Sequence, residues 1–229
     1  MSLRVYVGHE QREARSFALA CASARRFGAD VQPLYESRLR QAGLLTRPLD
    51  TRGGMWDLNS GAPQATAFAI ARFYTPLLAH TGWALFVDCD VVFLRDPAEV
   101  MQYADPAKAV AVVKHNVGGV GGTKMDGQVQ TSYPRKLWSA VTLWNCDHPA
   151  NRRINLQMLN QWPGRDLHAF GWLHDDEIGD LPIEWNWLVG MQEKPEYPAV
   201  AHYTLGTPEL LTECPHADLW EQAAKECNV

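Results

Sequence analysis

The sequence has 229 residues, 46% apolar and 21% charged, with a formal charge of -5, values that suit one soluble domain able to bury a sizeable core. The acidic balance sets aside nucleic acid as a partner, because backbone binding leans on clustered Lys and Arg, and Arg12, Arg15, Arg25 and Arg26 read as the solvated face of one helix. Five dispersed cysteines with no CxxC pair, an opening without a signal-peptide pattern, and a longest apolar run (83–94) broken by two aspartates together predict free thiols, no transmembrane segment and a cytoplasmic enzyme.

In chain order, Leu3 to Val7 is a β-branched run ending at Gly8, and Ala14, Phe17, Ala18, Cys21 and Ala24 then recur at helical spacing. Asp30 to Leu34 reads as a second strand, so the chain opens with a β-α-β unit and an α/β class is expected, with a mostly parallel sheet flanked by helices. Residues 36–63 carry Arg47-Pro48, Gly53-Gly54 and Gly61-Ala62-Pro63 with no sustained period, and read as a long excursion from the sheet. A helix is predicted over 64–78, with Arg72 on it and Pro76 near its end. Trp83 to Leu94 reads as one continuous buried strand, Ala109–Val113 and Ala140–Trp144 as further strands, and 151–161 as a helix. Neither an internal repeat nor an interdomain linker is visible.

The chemistry gathers at Asp88-Cys89-Asp90. Carboxylates one residue apart point to the same side of an extended strand, or converge from a bend at its end, so both can reach one hard cation. Mg²⁺ and Mn²⁺ prefer such oxygen ligands and bridge to substrate phosphates. The bland alternative is an acidic turn ahead of a helix capped at Asp96-Pro97; placing two acids against so apolar a strand without a compensating charge would, however, be costly. Ligands in open α/β sheets bind beyond the carboxyl ends of the strands, which puts a bound ligand near Val7, Gly8, His9 and Arg12. For His9, hydrogen bonding to a helix N-terminus is an equal alternative.

At these residues the chain resembles the GT-A fold glycosyltransferases, specifically the retaining family 8 enzymes that include glycogenin and bacterial lipopolysaccharide galactosyltransferases. Phe86-Val-Asp-Cys-Asp-Val-Val-Phe-Leu-Arg-Asp96 is similar to their D-x-D strand, and Ala71-Arg-Phe-Tyr-Thr-Pro-Leu-Leu78 to the Arg-bearing helix upstream. His174-Asp-Asp-Glu-Ile178, with Leu181-Pro182 and Trp185-Asn186, resembles the acceptor-side Asp-Gln-Asp segment and its continuation. Val200-Ala-His-Tyr-Thr-Leu-Gly206 resembles the C-terminal His motif.

The resemblance implies a single GT-A domain, with a nucleotide-binding half over 1–115 and an acceptor-side half over 116–229. It implies transfer of a hexose with retention from a nucleoside-diphosphate sugar, UDP-linked foremost, to a glycan, lipid or protein acceptor that the sequence does not identify. Asp88, Asp90 and His202 would hold Mn²⁺ or Mg²⁺. Arg72, Asp88, Cys89, Ser139 and Gly206 would contact the donor, whose nucleotide base would take the place near Val7, Gly8, His9 and Arg12, and Asp175 and Asp176 would serve catalysis alongside Arg72. One departure stands out: the family's motif continues to Lys-Pro-Trp, whereas Thr207-Pro208-Glu209 follows here. A cation from Lys114, Lys124, Arg135 or Lys136, beside the glycine-rich stretch 116–128, could supply the missing charge as a lid, or that stretch could be a plain surface loop. Trp56 and Trp185 are candidate cleft walls. Two rival readings remain: an aspartyl phosphatase built on Asp88 and Asp90, whose motif usually lies on the first strand, and a non-catalytic nucleotide-sugar-binding module.

Overall fold

A computed structural model describes residues 3–52, 54–116, 122–123, 129–130, 135 and 137–229. Strand β1 (Arg4–Gly8), helix α1 (Ala14–Arg25) and strand β2 (Asp30–Leu34) form the expected unit, with the two strands parallel. Helix α1 turns Leu19, Ala20, Cys21 and Ala24 inward, the stripe that helical spacing requires. The excursion then folds as helix α2 (Glu36–Gln41) and a small antiparallel sheet of β3 (Leu49–Asp50), β4 (Trp56–Asp57) and β5 (Ala62–Pro63). Arg47 anchors it: the fully buried guanidinium pairs with Asp57 and donates to Ser60 Oγ (3.0 Å) and to the carbonyls of Leu159 (3.0 Å) and Trp162 (2.8 Å).

The chain continues through α3 (Thr75–Ala79), β6 (Trp83–Val87), β7 (Val91–Phe93), β8 (Val110–Val112), β9 (Gly122–Thr123), β10 (Val129–Gln130) and β11 (Val141–Asn145). It ends with α4 (Leu156–Gln161), α5 (Gly164–His168), β12 (Ile178–Asp180), β13 (Trp187–Leu188), β14 (Val200–His202) and α6 (Ala217–Cys227). The central sheet runs β2-β1-β6-β11-β8-β12, and its neighbours are parallel except where β11 runs against β6 and β8. Period-two alternation sends Tyr6 and Phe86 to one face, where Phe73, Trp144, Phe170 and Trp172 pack. Val5, Val7, Leu85 and Val87 face the other, against Leu143 and Trp185. The sheet is therefore buried on both sides, as its apolar strands require.

Three predicted elements differ. The single strand over 83–94 is two: β6 belongs to the central sheet and β7 to a second sheet ordered β13-β14-β7, and the backbone changes partners at the aspartates. The Asp88 amide donates to the Ala140 carbonyl (3.0 Å), while the Asp90 carbonyl accepts from the Tyr203 amide (2.9 Å). The predicted helix over 64–78 is a 3-10 turn (Ala71–Tyr74) followed by α3. Pro76 falls in the first turn of α3, where its missing N-H removes no helical bond. The predicted helix over 151–161 becomes regular only at α4, because the Asn155 side chain accepts from the Met158 amide (2.9 Å) as its N-cap.

Candidate functional site

Strands β1 and β6 run parallel and end side by side at Gly8 and Val87, so the Asp88-Cys89-Asp90 bend lies at the carboxyl edge of the sheet, where open α/β folds bind ligands. Strand β14 pairs antiparallel with β7, with His202 opposite Val91. That register carries His202 to Asp90 across a long stretch of sequence. One ligand atom from each of Asp88, Asp90 and His202 lies within 4.8 Å of the other two, and His202 Nε2 is 3.3 Å from Asp90 Oδ1.

The state of His202 follows from its neighbours. Its Nδ1 is 2.8 Å from Asn186 Oδ1, and Asn186 Nδ2 reaches the Leu137 carbonyl (3.5 Å), which assigns the amide oxygen to the histidine. Nδ1 therefore carries a proton, which leaves Nε2, directed towards the carboxylates, as the atom that would ligate a metal once deprotonated. His115 lies beyond. The Leu188 amide donates to Gln192 Oε1 (3.0 Å), Gln192 Nε2 donates to His115 Nδ1 (3.1 Å), and burial together with nearby His202 lowers the His115 pKa to about 4. Two carboxylates and one imidazole form a donor set that fits Mn²⁺ or Mg²⁺, ions that complete their shells with water and phosphate oxygens.

Arg72 is buried beside this set. Its Nη1 donates to the Ser139 carbonyl (3.0 Å) and pairs with Asp88 Oδ1 (3.0 Å), and the guanidinium lies 5.2 Å from the Phe68 ring centroid and 5.3 Å from that of Phe86. Ser139 Oγ meets His168 Nδ1 at 2.8 Å. Burial of the His168 ring, reinforced by Arg72, pushes its pKa well below the ordinary histidine range and holds it neutral. Asp88, Cys89, Asp90, Arg72, Ser139 and His202 line one cavity, which extends along residues 60–70 and over α5. Glu10 secures the 64–68 stretch: its buried carboxylate accepts from the Ala67 amide (2.8 Å) and from Arg12 Nε (3.1 Å), and Arg12 Nη2 donates to the Ala65 carbonyl (2.7 Å). Burial raises the Glu10 pKa, but these hydrogen bonds outweigh it and the net shift is downward.

The structure brings together Asp88, Cys89, Asp90, Arg72, Ser139 and His202, and leaves the other candidates apart. Val7 is a core side chain. Gly8 lies beneath Phe68, whose Cγ would stand 2.5 Å from an added Cβ. His9 packs on Phe17 and Tyr35, with centroids 4.8 and 4.5 Å away, and Arg12 serves Glu10. Cys89 is buried, its thiol directed at Glu13 (3.6 Å) and its pKa raised well above the ordinary range, first by burial and then by the surrounding carboxylates. Gly206, at φ +133°, packs under Leu211, whose Cγ would be 2.9 Å from a Cβ. Asp175 is exposed and paired with Arg135, and the carbonyl of exposed Asp176 accepts from Lys108 Nζ (2.7 Å); neither lines the cavity. Lys114 pairs with Asp180 (3.0 Å). Lys124, Lys136 and most of the glycine-rich stretch lie outside the described residues. Trp56 is an exposed side chain of the small sheet and Trp185 is fully buried; neither lines the cavity.

Glu10, Asn186, His168 and the Arg47-Asp57 pair escaped assignment from the sequence. Asn186 stood within a quoted motif, a lone polar residue among apolar neighbours was the available signal at His168, and Glu10 and Arg47 carried no local signal.

No family model matches the sequence. The structure is similar to that of the glycosyltransferase GlyE of Streptococcus pneumoniae TIGR4, at a TM-score of 0.59 and 14% identity over 98% of this chain. This chain spans 60% of the GlyE chain. It is also similar to the galactosyltransferase LgtC in complex with donor and acceptor sugar analogs, at a TM-score of 0.56 and 14% identity, with 98% of this chain and 96% of that one covered. These likenesses establish the GT-A fold and bear out the resemblance to family 8. In sequence the chain is 36% identical to Protein CDI of Arabidopsis thaliana over 236 residues, covering 98% of this chain and 87% of the relative. On that identity and coverage the chain belongs to the same family as Arabidopsis Protein CDI, a family built on the GT-A fold.

Proposed function

We propose that the protein transfers a hexose, with retention of anomeric configuration, from a nucleoside-diphosphate sugar to a hydroxyl of a glycan, lipid or protein acceptor. The observation that carries this reading is the convergence of Asp88, Asp90, His202 and Arg72 at the carboxyl edge of a GT-A sheet. Asp88, Asp90 and His202 would hold Mn²⁺ or Mg²⁺, and the bound ion would supply Lewis-acid stabilisation of the departing diphosphate. Arg72 fixes the Asp88 carboxylate and the Ser139 backbone, and so positions one ligand and one wall of the donor site together. In the transfer, the bond from the anomeric carbon to the phosphate oxygen breaks and a bond to the acceptor oxygen forms. The acceptor proton passes to the leaving phosphate oxygen, so no protein nucleophile is required. Asp175 and Asp176 stand outside the donor cavity, so their role in this reading is to orient the acceptor, and stabilising positive charge at the anomeric carbon would require them to approach the bound donor. A basic residue between Lys114 and Lys136 contacts the diphosphate in place of the missing C-terminal lysine. Residues 1–115 bind the nucleotide, and 116–229 provide the acceptor side.

The test is incubation with a panel of nucleotide sugars and Mn²⁺, following nucleoside diphosphate release and the configuration of the product by NMR. Release from a UDP-hexose that disappears in Asp90→Ala is expected. Phosphate release from phosphomonoesters would instead favour the aspartyl phosphatase, and binding without turnover that survives Asp90→Ala would favour a non-catalytic module.

A further inference from the structure

The corner between α4 and α5 borders two cavities that share no lining residue. Gly164, Arg165 and His168 face the donor cavity, whereas Trp162, Gly171 and His174 line a separate open cleft of about 490 Å³. That volume falls on the order of 300–1,000 Å³ typical of small-molecule sites. The walls of the cleft are planar and largely uncharged. Trp162 packs over Gly171, with its Cζ3 3.6 Å from where a Cβ would stand, yet keeps 36% of its surface exposed. The exposed amides of Gln157 and Gln161 touch each other at 3.4 Å, a long contact that a ligand hydroxyl could displace.

The electrostatics narrow the ligand. Among the described residues no Lys, Asp or Glu lines the cleft and the one guanidinium there is that of Arg153, which already donates to the Trp172 carbonyl (2.8 Å) and meets Glu177 (3.4 Å). Apart from the exposed imidazole of His174, an anion would find no cation without a competing partner. A purely apolar ligand would strip water from the glutamine amides without replacing their hydrogen bonds. A neutral polyol with C-H faces satisfies both: its ring stacks on the indole and its hydroxyls meet the amides.

We propose that this cleft is an exosite for a neutral saccharide chain. Its service as an anchor for the acceptor rests on the glycosyltransfer reading above; the binding itself does not. The test uses neutral gluco-, galacto- and xylo-oligosaccharides as probes, with a sulfated oligosaccharide for comparison, in saturation-transfer NMR and calorimetry without nucleotide or metal. At least one neutral chain should bind saturably, and Trp162→Ala should weaken it about tenfold, the scale of losing a stacked aromatic contact, while Trp162→Phe retains most of it. Gln161→Ala, at an exposed side chain, should also weaken binding and remains informative if Trp162→Ala fails to fold. Asp90→Ala should leave binding unchanged even though it abolishes transfer, which separates failure of the exosite from failure of the activity. Absence of binding by every neutral chain, binding indifferent to both Trp162→Ala and Gln161→Ala, preference for the sulfated probe, or loss of binding in Asp90→Ala would each overturn the proposal.

Discussion

Asn186 offers a sharp test of the metal centre, because it touches no carboxylate ligand and its closest polar contact is with His202, its second being the longer one to the Leu137 carbonyl (3.5 Å). The Oδ1 to Nδ1 contact is 2.8 Å, and both side chains are at most 1% exposed, so no bulk water can replace it. In Asn186→Leu the Nδ1-H loses this buried acceptor, which costs about 1–3 kcal/mol of stability. The proton then has reason to move to Nε2, where Asp90 Oδ1 at 3.3 Å can accept it, and the lone pair needed by a cation is lost. Losing such an outer partner lowers metal affinity by roughly 10- to 100-fold. Isothermal titration of Mn²⁺ into wild type, Asn186→Leu and Asn186→Asp measures this, with urea unfolding to confirm that each is folded. Asn186→Asp, which keeps an acceptor, should retain most of the affinity. Wild-type Mn²⁺ affinity in a folded Asn186→Leu would refute the tautomer argument.

Arg47→Met should destabilise by about 3–5 kcal/mol, because it strands the buried Asp57 carboxylate, and Arg47→Met/Asp57→Leu should recover much of that loss in the same unfolding assay. The folded state lowers the His115 pKa from 6.5 to about 4, so the unfolded chain binds more protons in that interval and stability falls on acidification. The loss attributable to His115 is about 2 kcal/mol between pH 7 and pH 5; His115→Gln should flatten the difference between urea unfolding curves at those two pH values by a similar amount. Gly8→Ala drives a methyl into Phe68 and should cost about 1–3 kcal/mol by overpacking, while raising the KM for the donor because Phe68 lines the cavity and carries Arg72.

Residues whose chemistry is intrinsic were readable from the chain. Asp88 and Asp90 declare themselves as acids ending an apolar run, and the opening unit follows from alternation and helical period. The site's supports were not, because each depends on partners distant in sequence. Glu10 looks like one more loop acid until Ala67 and Arg12 close on it, and Arg47-Pro48 looks like a turn until Asp57 and the Leu159 and Trp162 carbonyls surround it. Helical spacing at Ala67, Ile70, Tyr74 and Leu77 was matched by a chain that becomes regular only at Ala71, after isolated turn bonds from the Ala69 amide to the Thr66 carbonyl (3.1 Å) and from the Arg72 amide to the Phe68 carbonyl (3.1 Å). Asp175 and Asp176 were located by motif, and a motif does not specify how far a side chain stands from a cavity.

The change of sheet between Asp88 and Asp90 has a mechanical consequence. The candidate ligands span a seam: Asp88 follows the last strand residue of one sheet, while Asp90 immediately precedes β7 and His202 ends β14, the middle strand, in the other. A cation held by all three would rivet the sheets together, so its occupancy is thermodynamically linked to their separation. Amide exchange along β7 and β14 should then slow on metal binding far more than along β2, the outer strand of the central sheet, which makes the seam a built-in reporter of whether the site is filled.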